Sequence, residues 1–218
     1  MSAETVLFDY DGTLVRRDST RFLVLALMHL RPWLAPRAAL SIAALRLKRS
    51  PRALQEQKCS LVGALVRGLD ADAMGSALTT ATVRMGREAR PEAWAALDAH
   101  VRAGRRVVVV SASAGFYLRY ALASLRIEVI ATEFEVRDGR HTGRVTGSIC
   151  YGDKKPDAIR ALLGTNETII DAWSDSLSDL PMMLLARERH WLCPPADPAA
   201  VAREDPQGTI VRIVPAQG

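Results

Sequence analysis

Four consecutive valines, Val107 to Val110, follow Arg106 in this chain. A β-branched run without polar alternation marks a strand covered on both faces, and such strands belong to parallel sheets flanked by helices. The surrounding sequence has the matching rhythm. Glu92 to Ala103 carries helical spacing and stops at Gly104, and Gly115 to Leu125 is helical again. A short strand is expected at Glu128 to Ala131, then a hairpin over Phe134 to Thr146 that turns at Asp138-Gly139. A helix over Asp153 to Leu163, a strand at Thr168 to Ala172, a helix over Leu177 to Ala186 and a strand at His190 to Cys193 complete the pattern. Strands alternating with helices predict an α/β fold built on a doubly wound parallel sheet.

The first ninety residues differ. Glu4 to Asp9 reads as one more buried strand, ending at a Gly12 turn. The stretch that follows lacks strand alternation, and Pro32, Pro36 and Pro51 divide it into helices expected at 19–30, 37–48, 52–67 and 71–89. The expected organisation is an α/β core from residues 1–15 and 91–218, with residues 16–90 inserted as an all-helical cap.

Charge is divided along the same line. Residues 16–90 hold 14 Arg and Lys against 5 Asp and Glu, while the remainder holds 15 against 19. A basic segment facing an acidic remainder suits an anionic ligand or an anionic membrane surface. The basic residues lack the interleaved aromatics of a nucleic-acid platform, which excludes that partner. Phe22 to Leu30 is apolar but too short to span a bilayer. The chain runs from Met1 straight into Val6-Leu7-Phe8 without a signal-peptide pattern, and Cys59, Cys150 and Cys193 form no paired spacing. A cytoplasmic protein is expected, with peripheral contact at the inner face of the membrane as the alternative.

In sheets of this kind ligands bind outside the carboxyl ends of the strands, and four polar signals fall at such places. Asp9-Tyr10-Asp11-Gly12-Thr13 puts two carboxylates within reach of one site, one as nucleophile and one as general acid and base. Gly12 lets the backbone turn so that amides face an anion. Ser111-Ala112-Ser113-Ala114-Gly115 offers a hydroxyl and backbone N–H groups for a phosphoryl oxygen, or a plain helix N-cap. Lys154 and Lys155 open a helix as point charges for phosphate, or as solvated surface lysines. Ser174-Asp175-Ser176-Leu177-Ser178-Asp179 supplies the hard carboxylate oxygens that Mg²⁺ requires, and Asp175 or Ser176 would also cap a helix. His29, His100, His141 and His190 show no metal-ligand spacing, and no cysteine has Arg six residues later.

Together these residues resemble the motifs of the haloacid-dehalogenase-like hydrolases, over nearly the whole chain. Within that superfamily the chain is similar to the branch of phosphoserine phosphatases and phosphatidylglycerophosphatase C. Ser111-Ala112-Ser113, the hairpin Asp138-Gly139-Arg140-His141-Thr142-Gly143, Cys150-Tyr151-Gly152-Asp153-Lys154-Lys155 and Trp173 to Pro181 carry the likeness. The resemblance implies a phosphatase in which Asp9 attacks phosphorus to form an aspartyl-phosphate and Asp11 is the acid and base. It implies that Ser111, Ala112, Gly12 and Lys155, chosen over Lys154, bind phosphate. Mg²⁺ is implied on Asp9, the Asp11 carbonyl and Asp175, with Asp179 as ligand or support. Asp18 matches a substrate-reading carboxylate of phosphoserine phosphatases, but Asp18-Ser19-Thr20 also forms a helix cap. The expected substrate is a small phosphorylated metabolite resembling phosphoserine. A membrane-associated lipid phosphatase is the alternative, and a phosphomutase or a silent binding module is more remote.

Overall fold

The computed structural model describes residues 4–45, 50–164, 167–193 and 196–212. Among them, β1 (Glu4–Phe8), β2 (Arg106–Ala114), β3 (Glu128–Arg137), β4 (Arg140–Thr146), β5 (Thr168–Ser174), β6 (Glu188–Cys193) and β7 (Thr209–Arg212) form one sheet. Its order is β4-β3-β2-β1-β5-β6-β7, parallel except for the β3–β4 hairpin. The valine run explains the layering. Val107 and Val109 enter one apolar cluster, Val108 and Val110 the other, because successive side chains point to opposite faces. Helices α5 (Pro91–Arg102) and α6 (Gly115–Ala121) cover the first face; α7 (Lys154–Leu163), α8 (Leu180–Met183) and α9 (Pro198–Glu204) cover the second. From β1 the sheet grows one way through β2 and the other through β5, and this reversal opens a crevice at their carboxyl ends.

Between β1 and β2 lie α1 (Ser19–Leu30), a 3₁₀ turn (Pro32–Leu34), α2 (Ala35–Leu45), α3 (Pro51–Val66) and α4 (Ala71–Gly86). Positions 46–48 of the second expected helix lie outside the described residues. This segment does not pack a core of its own. Leu23, Leu27, Leu65 and Met74 share one apolar cluster with Phe8 and Val109. A second tie is backbone: Gly68 N–H donates to the His141 carbonyl at 2.7 Å, and His141 N–H donates to the Leu69 carbonyl at 2.9 Å. Helix α3 approaches β4 so closely that a Cβ on Gly63 would lie 2.1 Å from the Gly143 carbonyl oxygen, which only glycine permits.

Several elements differ from the sequence expectation. Strand β2 continues through Ser111 to Ala114, so Ala114, not Ser111, is the N-cap of α6. The expected short strand and the first hairpin arm are one strand, β3. Leu177–Asp179 is a 3₁₀ turn and the following helix stops at Met183. Helix α9 and edge strand β7 are additional, and only the short Thr209-Ile210-Val211 run marks the latter in the sequence.

A buried polar cluster ties α5 to the sheet. The Nε2 atoms of His100 and His190 lie 3.1 Å from the two oxygens of Asp171. Arg105 donates to His100 Nδ1 at 2.9 Å, so the hydrogen of the neutral His100 ring faces the carboxylate. Strand register brings Glu188 alongside, and Asp171, Glu188 and His190 hold donor atoms within 4.8 Å of one another, a grouping that the histidine spacing does not reveal. Burial raises the Asp171 pKa, but the imidazoles of His100 and His190 facing its two oxygens outweigh it and hold it down to about 2. A depressed carboxylate stabilises the fold above its unfolded pKa and loses that contribution as pH falls through the folded value. Asp171→Asn should therefore cost about 2 kcal/mol near neutral pH. In urea titrations the gap between wild type and variant should close between about pH 4 and about pH 2.

Candidate active site

Asp9 follows β1 directly, and its N–H still pairs with the Trp173 carbonyl of β5 at 2.9 Å. That ladder bond fixes the buried carboxylate at the crevice mouth. Lys155 Nζ donates to Asp9 Oδ1 at 2.7 Å, and Thr13 Oγ1 lies 3.2 Å from both Asp9 Oδ2 and Asp175 Oδ1. The chain then turns tightly: Gly12 N–H donates to the Val15 carbonyl and Leu14 N–H to that of Tyr10. Gly12 has φ +90°, and a Cβ there would sit 2.1 Å from Asp175 Oδ2. Arg90, at the start of α5, donates from Nε to the Gly12 carbonyl at 2.7 Å and braces the turn.

Lys155 is 2% exposed and makes a second ion pair, with Asp179 Oδ1 at 2.8 Å, while Ser174 Oγ donates to Asp179 Oδ2 at 2.8 Å. Lys154, one residue earlier, points to the surface beside Asp153 and Asp157. The Lys155 ammonium is held well above its ordinary pKa: burial lowers it, and the charges of Asp179 and Asp9 more than reverse that. Asp11 turns toward the helical insert. Its Oδ1 accepts the Ser19 N–H at 2.6 Å, and its Oδ2 accepts Ser113 Oγ at 2.5 Å with Ser111 Oγ at 3.5 Å. Burial raises the Asp11 pKa, and the Asp18 charge acts in the same direction.

All nine site residues expected from the sequence line one cavity of about 310 Å³: Asp9, Asp11, Gly12, Asp18, Ser111, Ala112, Lys155, Asp175 and Asp179. Asp18 does two things there. Its carboxylate accepts the Thr20 N–H at 3.0 Å, capping α1, and it pairs with Lys58 of α3 at 2.5 Å. Sequence reading missed Lys58 and Arg90, which come from distant elements. It also left Ser113 out of the site, although the motif containing it was visible; its contact with Asp11 depends on β2 staying extended to Ala114.

The donor set fits a hard divalent cation. Asp9, Asp175 and Asp179 line one cavity, with Thr13 between Asp9 and Asp175 and the Lys155 ammonium between Asp9 and Asp179. Burial raises the Asp9 pKa against the opposing effect of Lys155, and burial with the Asp179 charge pushes Asp175 up to about 6. Carboxylates crowded in this way are stabilised in the charged form by a cation on oxygen ligands.

The model of the haloacid dehalogenase-like hydrolase family matches residues 6–184, and the chain belongs to that family. Two relatives come from Mycobacterium tuberculosis H37Rv. A probable phosphatase is 40% identical over 91 residues, covering 40% of this chain and 31% of its own length. A phosphoserine phosphatase is 33% identical over 111 residues, covering 48% and 35%. The chain thus matches about a third of the length of these curated relatives. Solved structures share the fold at lower identity. A protein of unknown function from Bordetella pertussis Tohama I has TM-score 0.77 at 20% identity, covering 97% of this chain and 99% of that one. A substrate-bound phosphoserine phosphatase has TM-score 0.61 at 18% identity, covering 96% and 93%.

Gly12→Ala tests how tightly the turn and Asp175 are matched. Both the positive φ and the overlap with the carboxylate oppose a side chain, so this variant should lose about 2 kcal/mol or more in a thermal melt. Gly104→Ala, at a positive φ with nothing within 4 Å, should lose less.

Proposed function

We propose that the protein hydrolyses phosphate monoesters through an aspartyl-phosphate on Asp9, with Mg²⁺ as cofactor. The observation that carries this reading is the buried Asp9 carboxylate, pinned by Lys155 at the crevice with Asp11 two residues away. An Asp9 oxygen attacks phosphorus, the bond to the leaving oxygen breaks, and the Asp11 carboxyl gives that oxygen its proton. Asp11 then takes a proton from water, which attacks phosphorus, breaks the P–O bond of the Asp9 acyl phosphate, regenerates the carboxylate and releases inorganic phosphate. Lys155, Ser111 and the backbone near Ala112 and Gly12 hold the phosphoryl oxygens. Asp9, the Asp11 carbonyl and Asp175 would hold Mg²⁺, which supplies charge neutralisation between carboxylates and phosphate. Asp179 holds Lys155 through Oδ1 and is itself held by Ser174 through Oδ2, which positions the Lys155 ammonium.

The cavity is sized for a small phosphorylated metabolite of the phosphoserine kind, whose leaving group would meet the Asp18–Lys58 pair. One observation favours a second reading, a lipid phosphate. A trough of about 400 Å³ lined by Val24, Leu25, Ile42 and Leu61 adjoins the site and shares Asp18 and Lys58 with it. Turnover of phosphoserine against decyl phosphate and phosphatidylglycerophosphate, with Mg²⁺, separates the two.

Asp9→Asn should lower turnover of an aryl phosphate by roughly three orders of magnitude or more while the circular dichroism spectrum stays native. Near-normal turnover by the folded variant would remove the mechanism. EDTA should abolish wild-type activity, and Asp175→Ala should move the Mg²⁺ titration to higher concentration. Full activity in metal-free buffer is the contrary result.

A further inference from the structure

Helix α2 presents its apolar side to solvent. Ala38 is buried on its inner side, while Pro36, Ala39, Leu40 and Ala43 are exposed on its outer one. Leu40 is 73% exposed, and Trp33, in the 3₁₀ turn before the helix, is 70% exposed. A surface helix of a globular protein shows the opposite distribution, and an exposed apolar patch marks a contact surface. Leu25 and Leu27, the most obvious apolar pair in the sequence of α1, are not part of it: Leu27 is fully buried and Leu25 faces the trough beside the site.

Along the sequence, the segment that carries this face holds charge of one sign. From Ser19 to Gln55 there is no Asp or Glu, and the stretch holds Arg21, Arg31, Arg37, Arg46, Lys48, Arg49 and Arg52. Arg31, Arg37 and Arg67 border a cavity of about 540 Å³ next to Trp33, with Leu34, Ala38 and Leu65 also in its lining. Arg31 is steadied there by donating to the Arg67 carbonyl at 2.8 Å. A tryptophan beside arginines, with an apolar helix side between them, is the composition of a bilayer interface: the indole sits at headgroup level and guanidinium groups meet lipid phosphates.

We propose that the outer face of Pro32–Leu45 docks on an anionic lipid surface, with Trp33 and Leu40 inserted at the headgroup boundary and Arg31, Arg37 and Arg67 on lipid phosphates. The charge complementarity selects anionic lipid over neutral lipid. Arginines rather than paired charges rim the cavity beside Trp33, and this one-sided charge next to outward-facing Trp33 and Leu40 favours an anionic bilayer over a protein. This surface is separate from the catalytic cavity, so it does not depend on the phosphatase reading. It does place the mouth of the apolar trough, through Ile42 of α2, beside the same lipid surface.

The test is co-sedimentation of the full chain with phosphatidylcholine vesicles, with and without phosphatidylglycerol. Binding should need the anionic lipid and should weaken several-fold when salt rises from about 0.1 M to about 1 M, because screening shortens the reach of the arginines. Trp33→Ser with Leu40→Ser should lower the partition coefficient by roughly tenfold or more, and Arg37→Glu by roughly tenfold. Each variant should turn over a soluble aryl phosphate at the wild-type rate, showing that the fold is kept. Wild type that ignores anionic vesicles at low salt would overturn the proposal, as would a double variant that binds like wild type. A dimer in light scattering that the double variant abolishes would also overturn it, by showing that a second copy covers the face. Vesicle binding by a protein inactive on every phosphate monoester would defeat the phosphatase reading and leave this one standing.

Discussion

The Lys155 ammonium, buried between the carboxylates of Asp9 and Asp179, is the interaction on which the rest of the site depends. Its three members come from the end of β1, the start of α7 and the turn after β5, so it joins both directions of the sheet at the point where they diverge. Removing one partner of a buried ion pair strands the others' charge, at about 3–5 kcal/mol. The cost of burying these groups is offset because each has further partners: Thr13 on Asp9, Ser174 on Asp179. One carboxylate thereby keeps a fixed orientation toward the crevice without losing its access to it.

Around that triad, space is cleared by absent side chains. Gly12 lets the first turn pass against Asp175, and Gly63 and Gly143 let α3 lie on β4. The helical insert is thus joined to the sheet by a shared apolar cluster and by the backbone bonds at His141. That docking brings Ser19 N–H to Asp11 and sets the Asp18–Lys58 pair across the cavity. The same packing explains the outer face of α2. Only Ala38 of its described side chains is buried, and the bulky apolar residues Leu40 and Ile42 are left outside or at the trough.

The layered fold was legible because it rests on local periodicity. A four-valine run calls for cover on both faces, and Asp138-Gly139 between two strand-like runs supplies the two positive φ angles of a tight hairpin turn. Element ends were less legible. Extension of β2 past Val110 to Ala114 depends on pairing Ala114 with Thr132 of β3, a contact between distant residues. That extension removed Ser111 from a helix cap and carried Ser113 to Asp11. The short helix at Leu180–Met183 likewise ended early, and the tail strand β7 exists because β6 offers it an edge.

The sequence by itself singled out groups that meet in one cavity: Asp9, Asp11 and Gly12 at a strand end, Lys155 of a lysine pair opening a helix, and Asp175 and Asp179. Their spacing fixes what they can do locally, since a carboxylate at a strand terminus is exposed to the crevice whatever else surrounds it. The tertiary structure decided what spacing leaves open. It turned Lys155 inward and Lys154 outward, gave Asp18 both a helix terminus and Lys58, brought Arg90 to the Gly12 carbonyl, and left Trp33 and Leu40 in solvent. Those outcomes follow from which surfaces meet across the chain, and a local pattern of residues carries no record of its distant neighbours.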